Sequence, residues 1–255
     1  KPDDKMRLSP AVSLSWRPFS ESTLRIRASY KDIFRVPTFT DLYYLRMGNT
    51  NLKPEETSQY NVGVTWSSSC GDWLRHFSIS ADGYYNTVKD KIVALPTMYV
   101  WKMMNMGEVD IKGVDVNLST QFRLPLRMSL LLASTYSFQY AVDVTDPEAK
   151  NYKDQIPYTP RHSGTVSVTL ENPWVNVSYI LTAVGDRYAL PQNIDRNRID
   201  SYIEQSISIN RDFRFRYFGL RLQGELLNLA NVNYDVIQYY PMPGRSWRLS
   251  ICLSY

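Results

Sequence analysis

Apolar and polar side chains alternate with a period of two along most of this chain. In its last stretch Trp247, Leu249, Ile251, Leu253 and Tyr255 alternate with Ser246, Arg248, Ser250, Cys252 and Ser254, the pattern of a strand with one apolar face. Leu24, Ile26, Ala28 and Tyr30 oppose Arg25, Arg27, Ser29 and Lys31 in the same way, and Val114, Val116 and Leu118 oppose Asp115, Asn117 and Ser119. Helical spacing organises none of these segments. The alternation predicts about eleven strands, near 7 to 17, 22 to 34, 57 to 66, 76 to 93, 108 to 122, 127 to 142, 160 to 170, 174 to 187, 199 to 211, 217 to 229 and 245 to 255.

The connections between these strands alternate in length. Pro18 to Glu21, Ser67 to Arg75, Arg123 to Leu126, Glu171 to Pro173 and Asp212 to Arg216 are short, whereas Arg35 to Glu56, Ala94 to Gly107, Asp143 to Thr159, Tyr188 to Arg198 and Ala230 to Gly244 are long. Brief turns at one end and extended loops at the other are the signature of an antiparallel transmembrane β-barrel of the bacterial outer membrane. A soluble all-β sandwich also alternates, but its strands average about five or six residues, and those predicted here run to ten or more, as tilted strands crossing hydrocarbon must. Aromatic residues stand near both ends of the apolar faces, Trp16, Trp66, Phe77, Phe122, Trp174 and Tyr255 toward the turns and Tyr30, Tyr85 and Tyr140 toward the loops, where interfacial girdles belong. If the short turns are periplasmic, the last strand ends at the periplasmic edge. A terminal aromatic with apolar residues at every second position before it is similar to the C-terminal signal of outer-membrane proteins.

Composition narrows the function. The net charge of +4 comes from 29 basic and 25 acidic residues scattered along 255 positions, so there is no basic stripe for nucleic acid. Cys70 and Cys252 are too few and too far apart for a disulfide scaffold. No apolar run reaches the 18 or so residues of a spanning helix. The polar start, Lys1 to Arg7, is no signal peptide, and an odd strand count in a family of even-numbered barrels leads to the expectation that further strands precede this segment. His76 and His162 have no acidic or cysteine neighbour at metal-ligand spacing, and adjacent His162 and Ser163 point to opposite faces of one strand. Neither a catalytic residue, a metal site nor a cofactor is expected.

Three segments carry a family resemblance. Phe34-Arg35-Val36-Pro37-Thr38, Asp41-Leu42-Tyr43, Gly48-Asn49 and Asn51-Leu52-Lys53-Pro54-Glu55 form the first. Lys112-Gly113-Val114-Asp115 is the second, and Asn228-Leu229 with Tyr234, Pro241 and Pro243-Gly244-Arg245 the third. Together they resemble the TonB-dependent receptors, outer-membrane transporters with a plugged lumen and about 22 strands. The resemblance implies that residues 1–255 are the C-terminal half of such a barrel, with a plug domain and N-terminal strands lying outside this segment. It also implies active uptake of a scarce nutrient, such as a siderophore, haem or cobalamin. An oligosaccharide receptor of the same family, a passive or lipid-modifying barrel and a soluble all-β binding module are the alternatives. The partners implied are outer-membrane lipid, the TonB complex acting through the plug, a small-molecule nutrient and, as a further expectation, a surface lipoprotein. The prolines and glycines of the motifs also have plain structural readings: fixed loop angles at Pro37 and Pro54, and a bend or bulge at Gly113.

Capture of a ligand would fall to aromatics on the long loops, which offer flat apolar surfaces with polar tips. The candidates are Tyr43, Tyr44, Tyr99, Trp101, Tyr188, Tyr239 and Tyr240, joined by Met98 and Met103 from a methionine-rich segment, Met98 to Met106, expected as an adaptable apolar loop. Alternating polar positions, among them Arg27, Asp82, Asp115, Arg221, Glu225 and Arg248, are expected to face the lumen, with Glu225 placed to pair with Arg248 on the neighbouring strand.

Overall fold

The computed structural model describes residues 8–19, 23–97 and 99–255. In chain order the elements are β1 (Ala11–Trp16), β2 (Arg25–Arg35), α1 (Phe39–Tyr43), β3 (Glu55–Cys70), β4 (Leu74–Pro96), β5 (Trp101–Leu124), β6 (Met128–Asp143), β7 (His162–Glu171), β8 (Asn176–Val184), β9 (Arg187–Tyr188), a 3₁₀ turn (Asp195–Asn197), β10 (Arg198–Ile199), β11 (Tyr202–Arg214), β12 (Gly219–Leu227), β13 (Asp235–Ile237), β14 (Tyr240–Pro241) and β15 (Ser246–Ser254). Eleven of these strands form one sheet in the order β1 to β8, β11, β12, β15, and every neighbouring pair is antiparallel. All eleven predicted strands are present, in sequence order, as a simple meander.

The sheet has one apolar and one polar face. Trp247, Leu249 and Ile251 are 79%, 65% and 64% exposed, and Val12, Leu14, Tyr60, Val62, Val64 and Val166 are exposed on the same side of their own strands. In water each such side chain would forfeit about 1.5–3 kcal/mol of burial, which is the reason a sandwich packs this face inward. A wall that leaves it bare is built for hydrocarbon. The aromatic rows fall where interfacial girdles are expected: Tyr30, Tyr60 and Tyr85 are successive ladder partners with ring centroids 4.9 and 6.4 Å apart, and Trp66 packs on Phe77 at 5.2 Å near the turns. Among the described residues no helix is long and apolar enough to cross a membrane.

Polar side chains pair along the opposite face. Arg27 meets Asp82 at 2.9 Å, Arg221 meets Asp212 at 2.6 Å, and Arg248 binds Glu225, its ladder partner. Gly113 marks no bulge, contrary to the reading from sequence, because the ladder runs regularly from Tyr84 through Gly113 to Gln139. The glycine is needed for space: a β-carbon there would stand 2.5 Å from the Tyr84 hydroxyl oxygen and against the Phe138 carbonyl.

The expected long loop from Ala94 to Gly107 is a second departure. Strands β4 and β5 pair on through Lys91↔Met106 to Pro96↔Trp101, leaving only residues 97–100 as the connection. The 36–54 loop binds this extension through Asn49 and Asn105, while Lys102 and Met104 on its other face stay exposed. The buried hydrophobic cluster lies near its base and consists of Val88, Met106, Val109, Ile111, Ala141 and Ile156. Ile156 arrives from the 144–161 loop, held by its N–H to the Ala141 carbonyl at 3.0 Å. The only sizeable dry core in the described residues thus sits at the long-loop end.

Candidate functional site

The loops at that end are themselves folded. In the 36–54 loop, Thr38 and Asp41 cap α1 reciprocally, with N–H to oxygen distances of 2.9 and 3.1 Å. Asp41 and Glu55 both accept from Arg35, at 3.1 and 3.5 Å. Burial alone would raise the Asp41 carboxyl, but the Thr38 hydrogen bonds and the Arg35 charge outweigh it and hold its pKa below the usual 3.8. The loop then docks on the β4–β5 extension through Asn105. Its side chain accepts from the Lys53 N–H at 2.8 Å and donates to the carbonyls of Lys53 and Asp90 at 3.1 and 2.7 Å. Asn49 and Met47 bind the backbone of Met103 beside it. The first motif is therefore a set of ties that fastens one loop to one hairpin.

The last motif has the same character. Asn228 is 3% exposed with φ of 51°, a left-handed conformation that asparagine tolerates better than most residues. Its side chain accepts from Val232 N–H at 2.9 Å and donates to the carbonyls of Val232 and Pro243 at 2.9 and 3.3 Å. Asn231 accepts from Arg245 N–H at 2.8 Å. Tyr234 stacks on Tyr202 with centroids 4.1 Å apart.

At the same end of the sheet lies a cavity of about 640 Å³. Ile111, Gln139, Val184 and Tyr202 reach it from the wall, and all four share the polar, inward face by strand parity. Ile156 and Tyr158 enter from the 144–161 loop and Val236 and Ile237 from β13. Trp101 closes another side, 5.7 Å from the Tyr158 ring. Burial, the largest effect, raises the Tyr158 hydroxyl above its ordinary value, with a Gln238 backbone hydrogen bond and the Arg187 charge opposing it. The phenol is therefore a neutral donor at physiological pH. Arg187 is 4% exposed. One of its terminal nitrogens donates to the carbonyls of Asp235 and Val236, its guanidinium lies 5.5 Å from the Tyr202 centroid, and the other terminal nitrogen has no hydrogen-bond partner among the described residues.

The residues singled out from sequence do not converge. Trp101 alone lines this cavity; Tyr239 lines a separate recess of about 290 Å³ with Arg198 and Asp235. Tyr43 ends α1 and packs on Phe39 at 4.8 Å, while Tyr44 supplies the carbonyl that Gly48 binds at 2.7 Å. Tyr99 is 90% exposed at the hairpin tip, and Tyr240 is exposed at the start of β14. Tyr188 pairs with Arg198 and is tied to Tyr158 through the backbone. Met98 lies outside the described residues. Met103 and Met106 belong to β5, and Met106 is in the core, so residues 101–106 are strand. Sequence reasoning missed Arg187, Tyr158 and Tyr202. Tyr202 was legible as an inward position at the loop end of a strand; nothing in its neighbourhood distinguished Arg187 from the other arginines.

Residues 2–229 match the family described as TonB dependent receptor-like, beta-barrel. The chain is 27% identical over 236 residues to the vitamin B12 transporter BtuB of Photobacterium profundum, covering 89% of this chain and 34% of that protein. It is 24% identical over 221 residues to BtuB of Vibrio vulnificus, covering 84% and 32%. The chain therefore spans about a third of the length of these relatives. Among solved structures it resembles the copper transporter OprC with a TM-score of 0.71 at 16% identity, over 96% of this chain and 38% of that one.

Proposed function

Because the chain belongs to the TonB-dependent receptor β-barrel family, we propose that it supplies the C-terminal half of the barrel of an outer-membrane receptor. The parent protein takes up a scarce nutrient, with energy relayed from the TonB complex through a plug domain. Among siderophore, haem and cobalamin, the nutrient is a corrinoid. Both relatives named above are vitamin B12 transporters, and the observation that carries the reading is the cavity at the loop end of the inward face, walled by Trp101, Tyr158 and Tyr202. Aromatic walls of this kind suit a large planar ligand with polar edges. A cavity of about 640 Å³ takes part of such a ligand, and the exposed rings of Tyr43, Tyr44, Tyr99, Tyr239 and Tyr240 make first contact with the rest.

The test is uptake of radiolabelled cyanocobalamin by cells whose only outer-membrane corrinoid receptor is the full-length parent protein. Saturable uptake that stops when TonB is deleted is the expected result. No cyanocobalamin binding would sink the corrinoid reading, and uptake indifferent to TonB would favour a passive barrel.

A further inference from the structure

One glycine in the wall has no steric reason to be one. Of the chain's glycines, Gly224 alone would place a β-carbon with nothing within 4 Å, so a larger side chain would fit, and glycine inside a strand weakens it. Strand parity puts Gly224 on the outward face, between its ladder partners Ile209 of β11 and Leu249 of β15. The missing side chain leaves a groove of about 590 Å³ bordered by Ile207, Ile209, Leu222, Leu226 and Leu249. At the turn end of this groove stands Arg211, the ladder partner of Leu222 and on the same outward face. A guanidinium on the lipid side of a barrel is destabilising unless it reaches the interface or a partner. The neighbouring acids do not serve it, because Asp212 and Glu225 alternate to the lumen and bind Arg221 and Arg248 there. Arg211 lies instead over the Phe213 ring, 4.7 Å from its centroid.

We propose that this patch binds one phospholipid of the periplasmic leaflet, with its phosphate on Arg211 and one acyl chain laid along the groove over Gly224. The order of the parts matches such a lipid. Arg211 lies three residues before the end of β11 at Arg214, about 10 Å along the strand from the short turn, where a long cationic side chain reaches toward headgroups. The planar fork of its guanidinium suits a phosphodiester, and the Phe213 ring beneath it fixes its orientation. From Arg211 toward the loop end the outward positions are apolar: Ile209 and Ile207 on β11, Leu222 and Leu226 on either side of Gly224 on β12. A glycine inside a strand often marks a place where a ligand comes close to the backbone. The inference rests on the outer-membrane reading of the chain and is independent of the corrinoid one.

The experiment titrates dioleoylphosphatidylglycerol and dioleoylglycerol, which share both chains and differ in the phosphate headgroup, into the delipidated full-length receptor and counts bound lipid by native mass spectrometry. Wild type, Arg211→Gln and Gly224→Leu are each taken from the outer-membrane fraction as folded barrel, identified by heat-modifiable gel mobility. Wild type is expected to bind the phospholipid about tenfold more tightly than the diacylglycerol, the size of one charge-assisted hydrogen bond. Arg211→Gln should bring the two affinities to within about twofold of each other. Gly224→Leu fills the groove and should weaken both lipids about fourfold, the worth of one buried CH₂ group. Because the Arg211 readout is a ratio measured on one preparation, loss of folded receptor does not mimic it. An unchanged ratio in Arg211→Gln, or unchanged diacylglycerol binding in Gly224→Leu, would overturn the proposal. Binding of neither lipid by wild type would overturn it as well and leave the groove to a protein partner. A receptor absent from the outer-membrane fraction would remove the membrane reading itself, and the proposal with it.

Discussion

Arg27 and Asp82 pair at 2.9 Å across a strand that lies between their own. Gly63 of β3 is the ladder partner of both, and a β-carbon at that position would collide with the Asp82 carboxylate. The missing side chain lets a β2 cation reach a β4 anion over the top of β3. The pair is half exposed, so it is worth at most about 1 kcal/mol.

This geometry predicts a contrast between two glycines. Gly63→Ala should push aside only a flexible carboxylate, changing stability by less than about 1 kcal/mol. Gly113→Ala meets the backbone carbonyl of Phe138 as well as the Tyr84 ring, and should cost roughly 1–3 kcal/mol by overpacking. Adding Tyr84→Ala should restore only part of that loss. Urea midpoints of the full-length barrel, read by heat-modifiable gel mobility, check the order.

Asp41 makes the 36–54 loop sensitive to acid. Its carboxyl is held below the usual 3.8 in the folded loop, so folding favours the ionised form. That contribution is complete above the unfolded value and is lost as pH falls through the lower, folded one. Peptic cleavage within residues 36–54 should therefore rise once the pH drops below about 3.8. In Asp41→Asn cleavage should be faster throughout and lose this dependence; an unchanged profile would argue against the Arg35–Asp41 tie.

Asn105 is the clamp between loop and hairpin. Asn105→Ala removes three hydrogen bonds, two of them exposed, and should cost roughly 0.5–1.5 kcal/mol. The loss should be local. Tryptic cleavage at Arg46 or Lys53 is expected to accelerate while the barrel's unfolding midpoint stays close to wild type.

Asn228 combines two requirements, a left-handed backbone and three side-chain hydrogen bonds. Asn228→Ala fails both and should cost roughly 2–4 kcal/mol. Asn228→Gly relieves the backbone and should cost less. If glycine proves the more damaging substitution, the conformational part of the argument is wrong. Chemical denaturation of the two variants side by side decides it.

Ligand binding distinguishes the cavity wall from the loop tips. Trp101→Ala opens one side of the cavity and should weaken cyanocobalamin binding about tenfold, the scale of a buried aromatic anchor. Tyr99→Ala, at the 90% exposed tip, should change affinity by less than about threefold. The reverse order would place capture on the hairpin tip.

Much of the wall was legible because period two is a local property. Each of the eleven strands announced its own apolar face, and Glu225 opposite Arg248 followed from counting along a hairpin. Strand ends were less legible. Residues 94–107 looked like a loop because pattern alone does not show that neighbouring loops will cover a hairpin outside the membrane, and pairing from Lys91↔Met106 to Pro96↔Trp101 depends on that cover. The motifs named the family, but their physical roles, Asn105 tying Lys53 and Asn228 tying Pro243, involve partners 52 and 15 residues apart.

What the sequence determined by itself was the two-faced wall, since alternation with a fixed sign admits only one partition between hydrocarbon and water. What the tertiary structure alone decided was the candidate site. Trp101, Tyr158, Arg187 and Val236 belong to four separate stretches of chain, and no local pattern encodes their convergence. Only the packing of folded loops over the inward face brings their rings together and buries the Arg187 charge.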